Sequence, residues 1–155
     1  MDWNNYYIYD GGLLISKKTG EVLCNLCKDG YLRVRLNGKE YRGHRIIWEM
    51  FNGPIPAGML IDHIDGNKLN NQLSNLRLAT RQENNCNRIS ISKSGLPKGI
   101  AKNGNNYRVR LTQDGKVYCL GTYKTLEEAV KVYNDKSVEL RGEFHRPSEI
   151  LTCKG

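Results

Sequence analysis

The six residues Tyr107-Arg108-Val109-Arg110-Leu111-Thr112 constrain this chain more than any other stretch. Their polarity alternates without a break. Tyr107, Val109 and Leu111 fall on one side and Arg108, Arg110 and Thr112 on the other, which is the two-residue period of a half-buried strand. Asp114-Gly115 is a tight hairpin turn into a second strand from Val117 to Leu120. Thr125 then starts a helix, with Glu128 as its partner in a capping box. Leu126, Ala129, Val130, Tyr133, Ser137 and Leu140 recur at helical spacing. With a further strand from Gly99, the pattern predicts a three-stranded sheet whose apolar face is covered by the helix and whose arginine face is bare.

Charge marks the same face. The chain carries 24 Lys and Arg against 16 Asp and Glu, a formal net charge of +8. Residues 91–124 hold seven basic side chains and one acid, whereas residues 125–155 hold five and six. The sheet is therefore strongly positive and the helix is not, so a polyanion would meet the sheet. No apolar run approaches the ~18–20 residues of a membrane-spanning helix, and the acidic, aromatic start Met1-Asp2-Trp3 is not that of a signal peptide.

Five cysteines are present: Cys24, Cys27, Cys86, Cys119 and Cys153. Only Cys24 and Cys27 form a C-x-x-C pair. A structural zinc site wants a second such pair, or two histidines at short spacing, and neither is there. Reduced thiols in a reducing compartment are the reading this count supports.

Upstream, Tyr6 to Leu36 is rich in Tyr, Ile, Val and Leu, broken by Gly11-Gly12, Thr19-Gly20 and Asp29-Gly30, and predicts a β-meander. Asn37-Gly38 is the strongest hairpin signal, returning the chain through Lys39 to Arg42. A helix over Arg45 to Phe51 follows, with Ile46, Ile47, Met50 and Phe51 as its stripe, and stops at Asn52-Gly53-Pro54. Residues 58–66 read as a strand into an Asp65-Gly66-Asn67 turn. Ala79 to Arg88 reads as a second helix, with Thr80 as N-cap and Glu83 three residues on. The polar, Gly- and Pro-containing run from Ser90 to Lys98 reads as a linker. The class expected is α+β, with an N-terminal region over 1–90, a linker over 91–98 and a second domain over 99–150.

The chemistry sits in the first region. Asp62 and His63 are adjacent, Asn75 follows twelve residues after the histidine, and Asn84 stands four residues beyond Thr80. A carboxylate beside an imidazole, with an amide within reach, suits one hard cation and one activated water, the kit for metal-assisted phosphodiester cleavage. His44-Arg45, Asn52-Gly53-Pro54, Asp62-His63-x-Asp65-Gly66-Asn67, Asn70-Asn71-x-Leu73-x-Asn75-Leu76-Arg77 and Thr80-x-x-x-Asn84 together resemble the HNH endonuclease family, in the branch that contains phage-encoded homing endonucleases. The resemblance covers about Tyr31 to Arg88.

It implies a ββα-metal active site that cuts DNA in a bacterial host's cytoplasm. His63 would be the general base, a role open to an imidazole because it titrates near ~6.5. Asp62 and Asn84 would ligate the cation, with the neighbouring Asn85 as the alternative to Asn84. Asn75, the family's central Asn, would complete the catalytic set by pinning the hairpin loop without itself reacting. The family often has His where Asn84 stands. Carboxylate and amide oxygens favour Mg2+ or Mn2+, one per site, over zinc. His44 has two readings, lining the site or packing at the start of its helix, and Arg45 is the better phosphate contact.

The tail has a resemblance of its own. Gly99-Ile100, Tyr107 to Leu111, Gly115-Lys116, Leu120-Gly121-Thr122-Tyr123, Glu127-Glu128-Ala129 and Leu140-Arg141-Gly142 resemble the plant Apetala/ethylene-response-factor DNA-binding domain, which lays a three-stranded sheet in the major groove. By position, Arg108, Arg110 and Thr112 would face double-stranded DNA, with Lys98 and Asn103 on or beside the first strand. Ala101, Val117 and Cys119 stand where that family often has Arg, Arg and Trp, which shifts weight from base reading to phosphate contacts. No heptad or apolar helix face points to a dimer, so a monomer is expected. Two alternatives share the pattern: a DNA-binding regulator with a vestigial nuclease core, and a nuclease acting on RNA.

Overall fold

The computed structural model describes residues 1–23, 25–87, 95–145 and 147. Cys24, Cys153 and the first part of the expected linker, up to Ser94, lie outside the described residues. The chain divides into two compact units, Met1–Asn84 and Asn85–Gly155. No helix of the described residues is long and apolar enough to cross a membrane.

In the first unit the N-terminal region folds as two small sheets. Strands β1 (Tyr7–Asp10) and β2 (Leu13–Ser16) form an antiparallel hairpin. Strands β3 (Asn25–Leu26), β4 (Leu32–Leu36) and β5 (Lys39–Arg42) form a separate antiparallel sheet in that order. Asn37 has a positive φ of 50°, as the turn between β4 and β5 demands. Helix α1 (Gly43–Asn52) follows at once. It buries His44, Ile46 and Ile47, with Trp3, Tyr7, Leu14, Val34, Ile61 and Leu76 completing the core.

Phe51 departs from the expected stripe. It is 53% exposed at the last turn of α1 and meets the Tyr9 ring edge-on at 5.0 Å. Beyond α1, strand β6 (Leu60–His63) pairs antiparallel with β7 (Leu76–Ala79), and helix α2 (Arg81–Asn87) comes directly after β7. Thr80 and Glu83 close the expected capping box: the Thr80 hydroxyl accepts from the Glu83 amide, and the Glu83 carboxylate accepts from the Thr80 amide. The strand predicted over 58–66 is thus only four residues long, and its partner is β7.

The second unit is an antiparallel sheet of β8 (Ile100–Asn103), β9 (Asn106–Gln113) and β10 (Lys116–Tyr123), with β9 central. Helix α3 (Leu126–Arg141) packs on one face, and the capping box from Thr125 to Glu128 is formed. Val109 and Leu111 are buried against Ala129, Val130 and Tyr133 of α3, while Arg108, Arg110 and Thr112 are exposed. The alternation read along 107–112 is therefore the actual division of the sheet. Arg141 ends α3 by donating to the Tyr133 and Ser137 hydroxyls, the Gln113 side chain and the Thr112 carbonyl. These bonds satisfy a serine that has no exposed surface.

Candidate active site

The site grows from the β6–β7 hairpin. Its register sets Leu60 opposite Ala79, Asp62 opposite Arg77 and His63 opposite Leu76. The twelve residues between the strands, 64–75, carry no ladder of their own and are tied together by side chains. Asn75 is the main knot. Its amide nitrogen donates to Asp65 Oδ1 (2.9 Å) and to the Asn70 carbonyl (2.8 Å), and its amide oxygen accepts from the Asp65 backbone (3.0 Å). Asn70 adds a bond to Asp65 Oδ2 at 2.7 Å. These amide donors hold the Asp65 carboxyl below its usual range against the opposing effect of burial. The Asn-rich run is thus a clasp that delivers the chain from one strand to the next.

Asp62 is 5% exposed and His63 4% exposed. Successive strand residues leave on opposite faces, and these two have separate partners. Asp62 Oδ2 accepts from Arg77 Nε at 3.1 Å and from Nη2 at 3.0 Å. Sequence reasoning gave Arg77 no role in the site. It is the cross-strand neighbour that balances a buried carboxylate, which would otherwise carry a large desolvation cost. A buried carboxylate of this kind is a hard oxygen donor, the type that fits a hard divalent cation.

His63 Nε2 lies 2.9 Å from Asn71 Oδ1, a bond between two buried side chains. The His44 ring meets the His63 ring edge-on at 5.0 Å, and the Tyr31 ring lies 5.1 Å from His44 and 6.1 Å from His63. His44 therefore does both things its sequence allowed: it packs in the first turn of α1 and it lines the histidine. Tyr31, expected in a strand, stands just before β4 and packs its ring near both histidines. The Arg42 guanidinium and the Lys68 ammonium each stand 4.7 Å from its centroid.

Burial is the main reason that the His44 imidazole is pushed down to about 3, with repulsion from His63, Arg42 and Arg45 adding to it. Between 6.5 and about 3, an unfolded chain protonates this ring and the folded chain does not. Stability should therefore fall as pH falls through that window. His44→Phe should flatten this dependence in urea melts. An equal slope in both proteins would mean that the ring is protonated in the fold.

Asn84 is the fourth residue of α2 and half-buried, its backbone amide bonded to the Thr80 carbonyl. Asn85 is exposed, and its carbonyl accepts from Lys98 Nζ at 3.1 Å. Arg45 is half-buried on α1. In the second unit Arg108, Arg110 and Thr112 share the open face of β9, and Asn103 is exposed at the end of β8. Lys98 is half-buried just before β8.

A family model described as HNH endonuclease matches residues 41–86. An uncharacterised HNH endonuclease of Acanthamoeba polyphaga mimivirus is 42% identical over 69% of this chain and 57% of its own length. Protein 3.8 of Escherichia phage T7 is 42% identical over 70% of this chain and 91% of its own. DNA endonuclease I-HmuI of Bacillus phage SP01 is 35% identical over 66% and 67%. The chain thus spans little more than half of the mimivirus relative but nearly all of the T7 one. The matched segment runs from the end of β5 through the hairpin to α2, the same stretch that assembles Asp62, His63 and the Asn75 clasp, and the chain belongs to the HNH endonuclease family.

Proposed function

We propose that the protein is a divalent-metal-dependent DNA endonuclease of the homing type, using Mg2+ or Mn2+ at one site per chain. The observation that carries this reading is the buried Asp62–His63 pair on a hairpin strand, with helix α2 and Asn84 following directly. His63 acts as general base on the attacking water. Asp62 and Asn84 hold the cation, which when bound supplies positive charge to the scissile phosphate and the leaving oxygen. Asn75 keeps the loop closed so that the strand bearing both residues is fixed. Arg45 contributes positive charge for the DNA backbone. The phage relatives support action in the cytoplasm of a bacterial host, and the chain works as a monomer.

Incubation of supercoiled plasmid with Mg2+, Mn2+ or chelator tests this reading. Nicked or linear product with either metal and none with chelator is expected. A band shift without cutting in every condition would identify a binder, and cutting of RNA with an intact plasmid would reassign the substrate.

The second unit is the DNA tether in this reading, a module like the Apetala/ethylene-response-factor domain over 99–150. Its support is the exposed row of Arg108, Arg110 and Thr112 on a sheet whose other face is filled by α3. Asn103 is exposed at the end of β8, and Lys98, half-buried with its ammonium on the Asn85 carbonyl, would have to release that bond to join the row on DNA. Phosphate contacts release counterions, so Arg108→Ala and Arg110→Ala should each weaken binding and reduce the salt slope by ~1. Unchanged slopes in both variants would make the basic face a solvated surface only.

A further inference from the structure

We propose that Asn71 is the positioning residue of the general base, its carboxamide oxygen taking the Nε2–H of His63 and holding the imidazole in one tautomer and one orientation. This deepens the nuclease reading and rests on it for the role of His63. The bond is 2.9 Å long, between side chains that are 3% and 4% exposed. A proton on Nε2 puts the ring's lone pair on Nδ1. With the carboxamide oxygen facing the ring as it does here, the opposite tautomer would set an imidazole lone pair against the lone pairs of that oxygen, in buried surroundings where the clash is least screened. The water proton then goes to Nδ1, giving an imidazolium, and the Nε2–H stays with Asn71 throughout.

A positioning residue must itself be held. Asn71 sits in the clasped loop, beside Asn70, whose carbonyl accepts from Asn75. Two residues on, the Leu73 amide donates to the Tyr9 hydroxyl at 3.1 Å. The β1–β2 turn presses on the same backbone. Gly12 has a φ of +100°, and a Cβ there would stand 3.0 Å from the Gln72 nitrogen and 3.1 Å from the Asn71 carbonyl carbon. The N-terminal hairpin is thereby a buttress for one oxygen atom.

Long-range 1H–15N spectra of the full chain labelled in histidine read the tautomer directly and need no cleavage. The failure of this proposal is thus distinguishable from failure of the nuclease reading. The parent should show His63 with Nε2 protonated and Nδ1 not. Asn71→Ala should bring the two nitrogen shifts toward each other and lower kcat by ~10- to 100-fold, with KM for DNA unchanged. Asn71→Asp, which keeps an oxygen and the side-chain volume, should restore the single tautomer. Gly12→Ala should shift the spectrum in the same direction as Asn71→Ala. A parent with the proton on Nδ1, or an Asn71→Ala chain with an unaltered spectrum and kcat, overturns the proposal. The parent spectrum decides even if the Ala variant does not fold.

Discussion

His63→Ala is expected to lower plasmid cleavage by ~10²- to 10⁴-fold, the range set by loss of a general base, while affinity for the plasmid stays as in the parent. Within the described cluster the His63 imidazole is the proton acceptor best suited to this role. His44 is held neutral by burial and packed edge-on against the His63 ring, and Asp62 is paired with Arg77. Removing a buried ring also leaves a hole beside His44 and Tyr31, so His63→Gln, closer in volume, should be made alongside. Both should lose turnover and keep binding. Lost binding with retained turnover would show that the residue holds the substrate and does not act as the base.

Gly99→Ala is expected to remove much of the stability of the second unit while sparing the first. Gly99 has a φ of +81°, and a Cβ would fall 2.3 Å from the Tyr133 ring and 2.4 Å from the Arg110 carbonyl oxygen. Neither neighbour can give way. Tyr133 is 1% exposed in the core, and the Arg110 amide bonds the Gly99 carbonyl at 2.8 Å. Left-handed strain of ~1–3 kcal/mol adds to overpacking of ~1–3 kcal/mol. A unit of this size has a total stability of only ~4–10 kcal/mol. The chain's two tryptophans, Trp3 and Trp48, both belong to the first unit. Their fluorescence melt should be retained while the circular-dichroism contribution of the sheet and α3 melts at a markedly lower temperature. Coincident parent-like melts by both probes would refute the steric argument.

What could be read from the sequence was whatever has a local period or a short turn. The alternation at 107–112, the Thr125 cap and the Asn37-Gly38 turn each express a rule that operates within a few residues, and each element stands where those rules put it. The Asp62–Arg77 pair was illegible because its register depends on a twelve-residue connection with no turn type to fix it. Asn71 was hidden for a related reason. Inside a run of asparagines it looked like one more turn residue, and only the folded loop turns it toward His63. Phe51 misled in the other direction: its helical spacing matched the stripe, but the last turn of α1 runs past the core.

The loop from residue 64 to residue 75 also orders events in time. Closing a connection of that length costs chain entropy before any contact across it returns stability. The β4–β5 and β9–β10 turns, each two residues long, have no such delay. The β6–β7 hairpin should therefore be among the last parts to assemble as the chain folds and among the first to open when it is warmed or exposed to denaturant. Heating should abolish cleavage before it abolishes the fold. Hydrogen exchange at Ile64 and Asp65, whose amides bond the carbonyl and the side chain of Asn75, would report that opening while the β4–β5 amides remain protected.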